Sequence, residues 1–337
     1  MSKVLSVAIP SYNAEKYLEQ DIPSFLREDL LEDLEVLIVN DGSRDGTREV
    51  GERFAAQYPM CVKVVNKENG GHGSAINAGL CEASGTYFKV VDADDWIDPD
   101  AMNALITFLK ETNVDLVLNP FHTVCDTDGS TERNFPLEEN KWQQIVYGQT
   151  YEMEKLLPDL QDVLQMHSIT YRTELLKEHE IRIDEKMFYV DQEYVIYPVP
   201  YIRNVAFLPG IVYQYRVATA EQSMNWKNLI KNRDMHGTVL KRLIAYYENI
   251  EENLTDVQRQ FFLYRCAKML NTQANIYFMM EQTSQAKAEM IRYEKSVREA
   301  DAEIYEFPYS KKADILRKMN YTGFGLVSRY TKKKWGR

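Results

Sequence analysis

Five aspartates, Asp92, Asp94, Asp95, Asp98 and Asp100, fall within nine residues directly after the apolar run Tyr87–Val91. Carboxylates this close repel one another unless a cation sits among them. Asp98 and Asp100 flank Pro99 and read as a helix start. That leaves Asp92, Asp94 and Asp95 at the end of a buried strand. Residues at i and i+2 of an extended chain share a face, as Asp92 and Asp94 do. Hard oxygen donors at that spacing suit Mg2+ or Mn2+ held jointly with phosphate oxygens. A plain acidic turn would leave the like charges uncompensated.

Two further polar clusters follow apolar runs. In 40-NDGSRDGT-47, Gly42 and Gly46 can take positive φ. The plain reading is a strand-to-helix turn capped by Asp45 or Ser43. Asp41 adds a carboxylate at the strand's end, able to accept the N3–H of uracil. In 69-NGGHGSAINAG-79, glycines around His72 lead into a helix, and free N–H groups at a helix start attract anions. The stretch is not a dinucleotide fingerprint, because it follows the third strand and lacks the G-x-G-x-x-G order. His72 is either a local cap or a functional group. Lys89 lies inside a strand that should be buried on both faces, so it pairs with an acidic residue or reaches a diphosphate.

Strand and helix signals alternate over the first ~120 residues: strands at 4–10, 35–40, 62–65, 87–91 and 116–118, helices at 14–26, 46–58, 74–83 and 99–112. Near-continuous apolar strands separated by helices predict an α/β fold with a parallel sheet covered on both faces. Ligands of such sheets bind outside the carboxyl ends of the strands, where all three clusters fall. From Trp226 the chain reads as long amphipathic helices, 229–250, 255–280 and 284–302. Their aromatics (Tyr246, Tyr247, Phe261, Phe262, Tyr264, Tyr277, Phe278) read first as core, with an acceptor site or a homo-oligomer interface as alternatives.

The 337 residues suffice for two or three domains. A net charge of −11 argues against nucleic acid as the main partner. Cys61, Cys81, Cys125 and Cys266 show no CxxC or metal spacing; Cys61 and Cys81 sit in apolar surroundings and read as reduced, buried thiols. No signal-peptide pattern opens Met1–Pro10, and no run of 18 apolar residues occurs. The expected location is cytoplasmic. The basic, aromatic stretch 331-TKKKWGR-337, with Phe324, Leu326 and Val327 upstream, suits peripheral contact with the inner face of an anionic membrane. The plain reading is a solvated or packed end.

The set 10-PSYN-13, NDGSRDGT, NGGHGSAINAG and DADDW, in this order and spacing, resembles the family 2 glycosyltransferases of GT-A fold, strongly over residues 3–100 and more weakly to about residue 225. The resemblance implies a GT-A type nucleotide-binding sheet flanked by helices, with a C-terminal, mainly helical module. Residues 1–120 would form the nucleotide-sugar-binding region, 121–225 the acceptor side of the GT-A domain, and 226–337 the helical module. It implies inverting transfer from a nucleotide sugar, usually a uridine diphosphate sugar, to an acceptor hydroxyl with a divalent metal, Mn2+ or Mg2+. By matching motif, Pro10 and Tyr12 flank the base and Asp41 binds uracil. Asp92 and Asp94 are the DxD pair that meets ribose, metal and diphosphate.

The family's acidic base matches within 188-FYVDQEYVIYP-198, where Val190 replaces a frequent Glu. Asp191 is the candidate base, with Glu193 as the alternative; a helix N-cap is the plain reading of Asp191. In 214-QYRVATAEQSMN-225, Arg216 matches an arginine that neutralises the departing diphosphate; a surface salt bridge is its plain reading. Ile76 stands where many relatives carry an Arg facing the donor phosphates, which leaves Lys89 or His72 as substitutes. Bacterial members commonly build cell-surface polysaccharide or decorate teichoic acid, so the expected acceptor is a glycan or polyol. A sugar nucleotidyltransferase is a competing enzyme, but it calls for a basic Gly-rich loop where PSYN stands. A non-catalytic nucleotide-sugar or glycan-binding protein would need no aspartate opposite the metal.

Overall fold

Seven successive buried residues make the first strand, β1 (Leu5–Ser11). A strand buried on both faces must lie centrally in its sheet. The computed structural model describes residues 3–134, 145–217 and 225–335. After β1 come α1 (Glu15–Asp21), β2 (Leu34–Asp41), α2 (Thr47–Gln57), β3 (Val62–Lys67), α3 (His72–Glu82), β4 (Tyr87–Val90), β5 (Trp96–Ile97) and α4 (Pro99–Glu111). Then follow β6 (Leu116–Leu118), β7 (Phe121–Cys125), β8 (Thr131–Asn134), β9 (Thr150–Glu152), α5 (Met153–Leu160), β10 (Ile169–Arg172), α6 (Thr173–Glu178), α7 (Asp191–Ile196), β11 (Asn204–Phe207) and β12 (Tyr213–Val217).

The main sheet has the order β3-β2-β1-β4-β10-β6-β11-β9. β1 lies between β2 and β4, parallel to both, and the chain winds away from it in both directions. That places the switch point, and hence the ligand crevice, at the carboxyl ends of these strands. The sheet is mixed rather than wholly parallel: β10 runs antiparallel to β4 and β6, and β9 antiparallel to β11. One face packs Leu5, Val7, Ile9, Val36 and Ile38 against Leu18, Phe54, Met102 and Leu105 of the covering helices. On the other face α3 lies so close that a Cβ on Gly79 would sit 2.6 Å from that of Ala8. A smaller sheet, β5-β12-β7-β8, aligns Gln214 with Trp96 and so carries β12 to the aspartate cluster.

The chain divides into two compact units, Met1–Ala220 and Glu221–Arg337. The second contains α8 (Trp226–Lys231), α9 (Arg233–Ile250), α10 (Asp256–Met279), α11 (Thr283–Ala300), α12 (Ala302–Glu306), α13 (Lys311–Lys318) and α14 (Phe324–Trp335). α10 opens on a reciprocal cap between Thr255 and Gln258. It is buried on several sides by α8, α9, α11, α12 and α14 rather than along one stripe. Tyr247, Phe261, Phe262, Tyr277 and Phe278 are core. Cys61 and Cys266 are buried, whereas Cys81 is exposed, contrary to the apolar reading of its surroundings. No helix among the described residues is long and apolar enough to cross a membrane.

Candidate active site

The loop after β1 is braced on the loop after β2. Asn13, left-handed at φ 51°, donates its N–H to Ser43 Oγ (3.0 Å) and accepts from the N–H of Arg44 (2.9 Å). The Ala14 N–H donates to Thr47 Oγ1 (2.7 Å), and the Glu15 carboxylate accepts from the Gly46 N–H (3.0 Å). Pro10 is buried in β1, while Tyr12, just past its carboxyl end, is 50% exposed.

Asp41, at the end of β2, turns its buried carboxylate towards the glycine loop. Oδ1 accepts from Lys67 Nζ (2.6 Å) and the Gly70 N–H (2.9 Å), and Oδ2 from the Gly71 N–H (2.7 Å). Gly42 needs its positive φ, and a Cβ there would lie 2.7 Å from the Asn69 nitrogen. The glycine loop in turn clasps the segment ahead of α7. Gly70 O accepts from the Lys186 N–H (2.5 Å), and Asn77 bonds both the N–H and the C=O of Ile183 (2.9 and 2.8 Å). A Cβ on Gly73 would stand 2.2 Å from Asp184 O. Glycines surplus to the turn and an Asn inside the helix were the signals for this link, which sequence reasoning missed. Ile76 is buried and offers the rim nothing.

The aspartates divide into two sets. Asp98 caps α4 by accepting from the Ala101 N–H (2.9 Å), and Asp100 is exposed and pairs with Arg27. Asp92 Oδ1 lies 2.8 Å from His72 Nε2. The Asp92 N–H donates to the Tyr213 hydroxyl (3.0 Å), which donates to Asp95 Oδ2 (2.6 Å). Asp95 Oδ1 accepts from the Arg216 N–H (2.7 Å). Burial and the Asp92 charge push Asp94 up to about 6. Burial, Asp94 and Asp92 push Asp95 well above the usual carboxylate range. Burial opposes charge on His72, but Asp92 overrides it, helped by Asp191 and Asp94, and the imidazole pKa is raised. Asp191 therefore lies within electrostatic reach of the cluster.

Three expected contacts come out differently. Lys89 is fully buried and meets neither a carboxylate nor open solvent. Its ammonium donates to the carbonyls of His167 (2.9 Å) and Ile169 (3.0 Å), and burial lowers its pKa to about 7. Arg216 is also buried, so it is no surface ion pair. Its guanidinium holds Asp21 (2.9 and 3.0 Å), Asp126 (3.1 Å) and the Asp94 carbonyl (2.7 Å), and lies over Trp96. It thereby ties the backbone of the aspartate turn to Asp21 and Asp126. Residues 218–224 of its loop lie outside the described residues. Glu193 is fully buried and accepts from the Asp184 N–H (2.7 Å). Asp191 is the first residue of α7 and makes no cap; its Oδ2 accepts from Gln192 (2.9 Å), and it is half-buried.

The residues present fit a divalent cation. One ligand atom each from Asp92, Asp95 and His167 lie within 4.8 Å of one another. His167 is held neutral, its pKa lowered to about 4 by burial, and neutral imidazole is the ligating form. Its buried Nδ1 has no hydrogen-bond partner among the described residues. No motif surrounds His167, which is why sequence reasoning passed over it; stacking on Tyr215 and the Lys89 bond to its carbonyl bring it to the cluster.

Residues 6–179, slightly more than half of the chain, match the family described as "Glycosyl transferase family 2". The chain belongs to glycosyl transferase family 2. The matched glycosyltransferase family 2 region holds every rim loop and ends before Asp191 and Arg216. The chain is 32% identical over 152 residues to Glycosyltransferase GlyG of Streptococcus pneumoniae, a match covering 43% of this chain and 50% of the relative. It is 29% identical over 217 residues to the uncharacterized glycosyltransferase EpsJ of Bacillus subtilis, covering 64% and 62%. It thus spans less than two thirds of the length of these curated relatives. The solved structure of S. aureus TarS 1–349 in complex with UDP-GlcNAc is 19% identical with a TM-score of 0.66, covering 99% of this chain and 92% of that one. At that identity the likeness is one of fold, and it bears out the GT-A expectation.

Proposed function

We propose that the chain transfers a sugar, with inversion, from a uridine diphosphate sugar to a hydroxyl of a glycan or polyol acceptor in cell-surface glycan synthesis. The observation that carries the reading is the carboxylate group at the end of β4: Asp92 beside His72, and Asp94 lifted to about 6 by burial and by Asp92. A divalent cation, Mn2+ or Mg2+, stabilises the charge that grows on a departing diphosphate. Asp92 and Asp94 would hold it, together with Asp95 and His167, which the structure groups with Asp92 but not with Asp94.

Tyr12 and Pro10 flank the base. Asp41 Oδ2, with one hydrogen bond made, can accept one more from the uracil N3–H. His72, biased towards imidazolium, supplies the cation that Ile76 does not. Lys89 acts through backbone carbonyls, and Arg216 through Asp21, Asp126 and the Asp94 carbonyl, rather than on the donor. Asp191 takes the proton of the acceptor hydroxyl as its oxygen attacks, and displacement from the opposite face inverts the anomeric carbon. The uridine assignment draws further support from TarS, whose solved structure holds UDP-GlcNAc. A product-release screen over uridine and guanosine diphosphate sugars, with Mn2+, Mg2+ or chelator, tests the reading. Metal-dependent release from a uridine diphosphate sugar is expected. Release from guanosine donors alone, or undiminished release in chelator, would overturn the donor or the metal assignment.

A further inference from the structure

The last two helices differ from the rest of the chain in charge. Of its 40 basic residues, nine lie in 311–337; of its 51 acidic residues, only Asp314 does. That segment carries +8 and the preceding 310 residues −19. Asp314 is itself taken by Arg317 (3.3 Å).

α13 and α14 bury one face each in the same cluster, Leu316 and Phe324 packing with Phe278, Met290 and Tyr321. The opposite face of α14 reads Leu326, Arg329, Tyr330, Lys333, at i, i+3, i+4 and i+7, all exposed. α13 and the residue after it repeat the pattern with Lys311, Ile315, Lys318 and Met319. Leu326 is 72% exposed, Tyr330 64% and Ile315 58%. On α14, large apolar side chains interleaved with cations at helical spacing suit a helix lying at an interface. Lys332 and Lys334 flank the stripe, where their stems can lie along an apolar phase while the ammonium groups stay in water.

We propose that the exposed stripe of α14 docks on an anionic lipid bilayer, with Leu326 and Tyr330 entering the headgroup boundary and the flanking Lys and Arg meeting lipid phosphates. A soluble polyanion would use the cations and leave the apolar stripe without purpose. A second copy docked face to face would oppose two surfaces of like charge. The inference stands apart from the reaction, since it uses no residue of the β4 site.

Sedimentation of the full chain with vesicles of phosphatidylcholine alone, or with about a third phosphatidylglycerol, tests it. Binding to the anionic vesicles only is expected, weakening as salt rises. Replacing Lys332, Lys333 and Lys334 together by Gln should cost on the order of a hundredfold in affinity. Leu326→Ser with Tyr330→Ser should weaken binding comparably, with circular dichroism and the thermal melt unchanged. No binding, equal binding to neutral vesicles, or full binding by either variant overturns the proposal. So does soluble polyphosphate binding as tightly as the vesicles, or a lipid-free dimer that Leu326→Ser dissociates.

Discussion

At the amino ends of β1 and β2, Glu35 is buried and accepts from Lys63 (2.5 Å), Ser6 and both the N–H and hydroxyl of Ser84 (2.9 and 2.8 Å). At the carboxyl ends of the same strands and β4, Asp92, Asp94 and Asp95 crowd one another. Burial works against ionising Glu35, yet its partners outweigh burial and hold its pKa below the usual range. Burial works the same way on Asp94, but its carboxylate neighbour adds to the penalty. One rim has completed its electrostatics with its own side chains. The other leaves Asp94 and Asp95 raised even with His72 beside Asp92 and the Arg216 charge near Asp94. A buried carboxylate is thus a functional signal when its nearest charges share its sign.

Substitutions at the two rims should separate accordingly. Asp191→Asn should lower transfer about 10²–10⁴-fold with donor affinity within about twofold, as single-turnover rates and calorimetry would show; substantial transfer removes Asp191 from the mechanism. Glu35→Ala strands the Ser84 N–H and the partners of a buried carboxylate. It should cost about 2–3 kcal/mol in denaturant unfolding and leave the dependence on metal intact. Asp94→Asn should act in the opposite sense. In chelator at pH 7.5 it removes a repelled charge and should raise stability, on the order of 1–2 kcal/mol once partial exposure is allowed for, while abolishing the added stability from Mn2+. A loss of stability in chelator would mean that Asp94 has a compensating partner.

The pH dependence carries the same contrast. Asp94 has a folded pKa raised to about 6, so its contribution is fully present below the unfolded value of 3.8 and is lost as pH rises through about 6. Because ligands must be deprotonated, Mn2+ should stabilise the protein at pH 7.5 and barely at pH 5. Thermal melts with and without Mn2+ across that window would show it; equal stabilisation at both values would place the ion elsewhere.

Much of this rim is readable in the sequence because each polar cluster directly follows an apolar strand, and a sheet of mostly parallel neighbours gathers strand ends. Asp92, Asp94 and the separate cap at Asp98 follow from that logic. What did not follow is what each long side chain grips. Lys89 and Arg216 have the composition of ligand contacts, but Lys89 is taken by the carbonyls of His167 and Ile169, and Arg216 by Asp21, Asp126 and the Asp94 carbonyl. The direction of β10 was hidden as well, since four residues of strand carry no mark of polarity. His167 and the Asn77–Ile183 clasp join positions that only the folded chain brings near.

Calorimetry of UDP binding to the wild type and Asp94→Asn, with Mn2+ and with chelator at pH 7.5, tests the cation site most directly. The wild type should bind UDP at least tenfold more tightly with Mn2+, and the variant should show no difference between the two conditions. Equal UDP affinity of the wild type in Mn2+ and in chelator, or an undiminished Mn2+ effect in Asp94→Asn, contradicts a cation held by Asp94 beside the diphosphate.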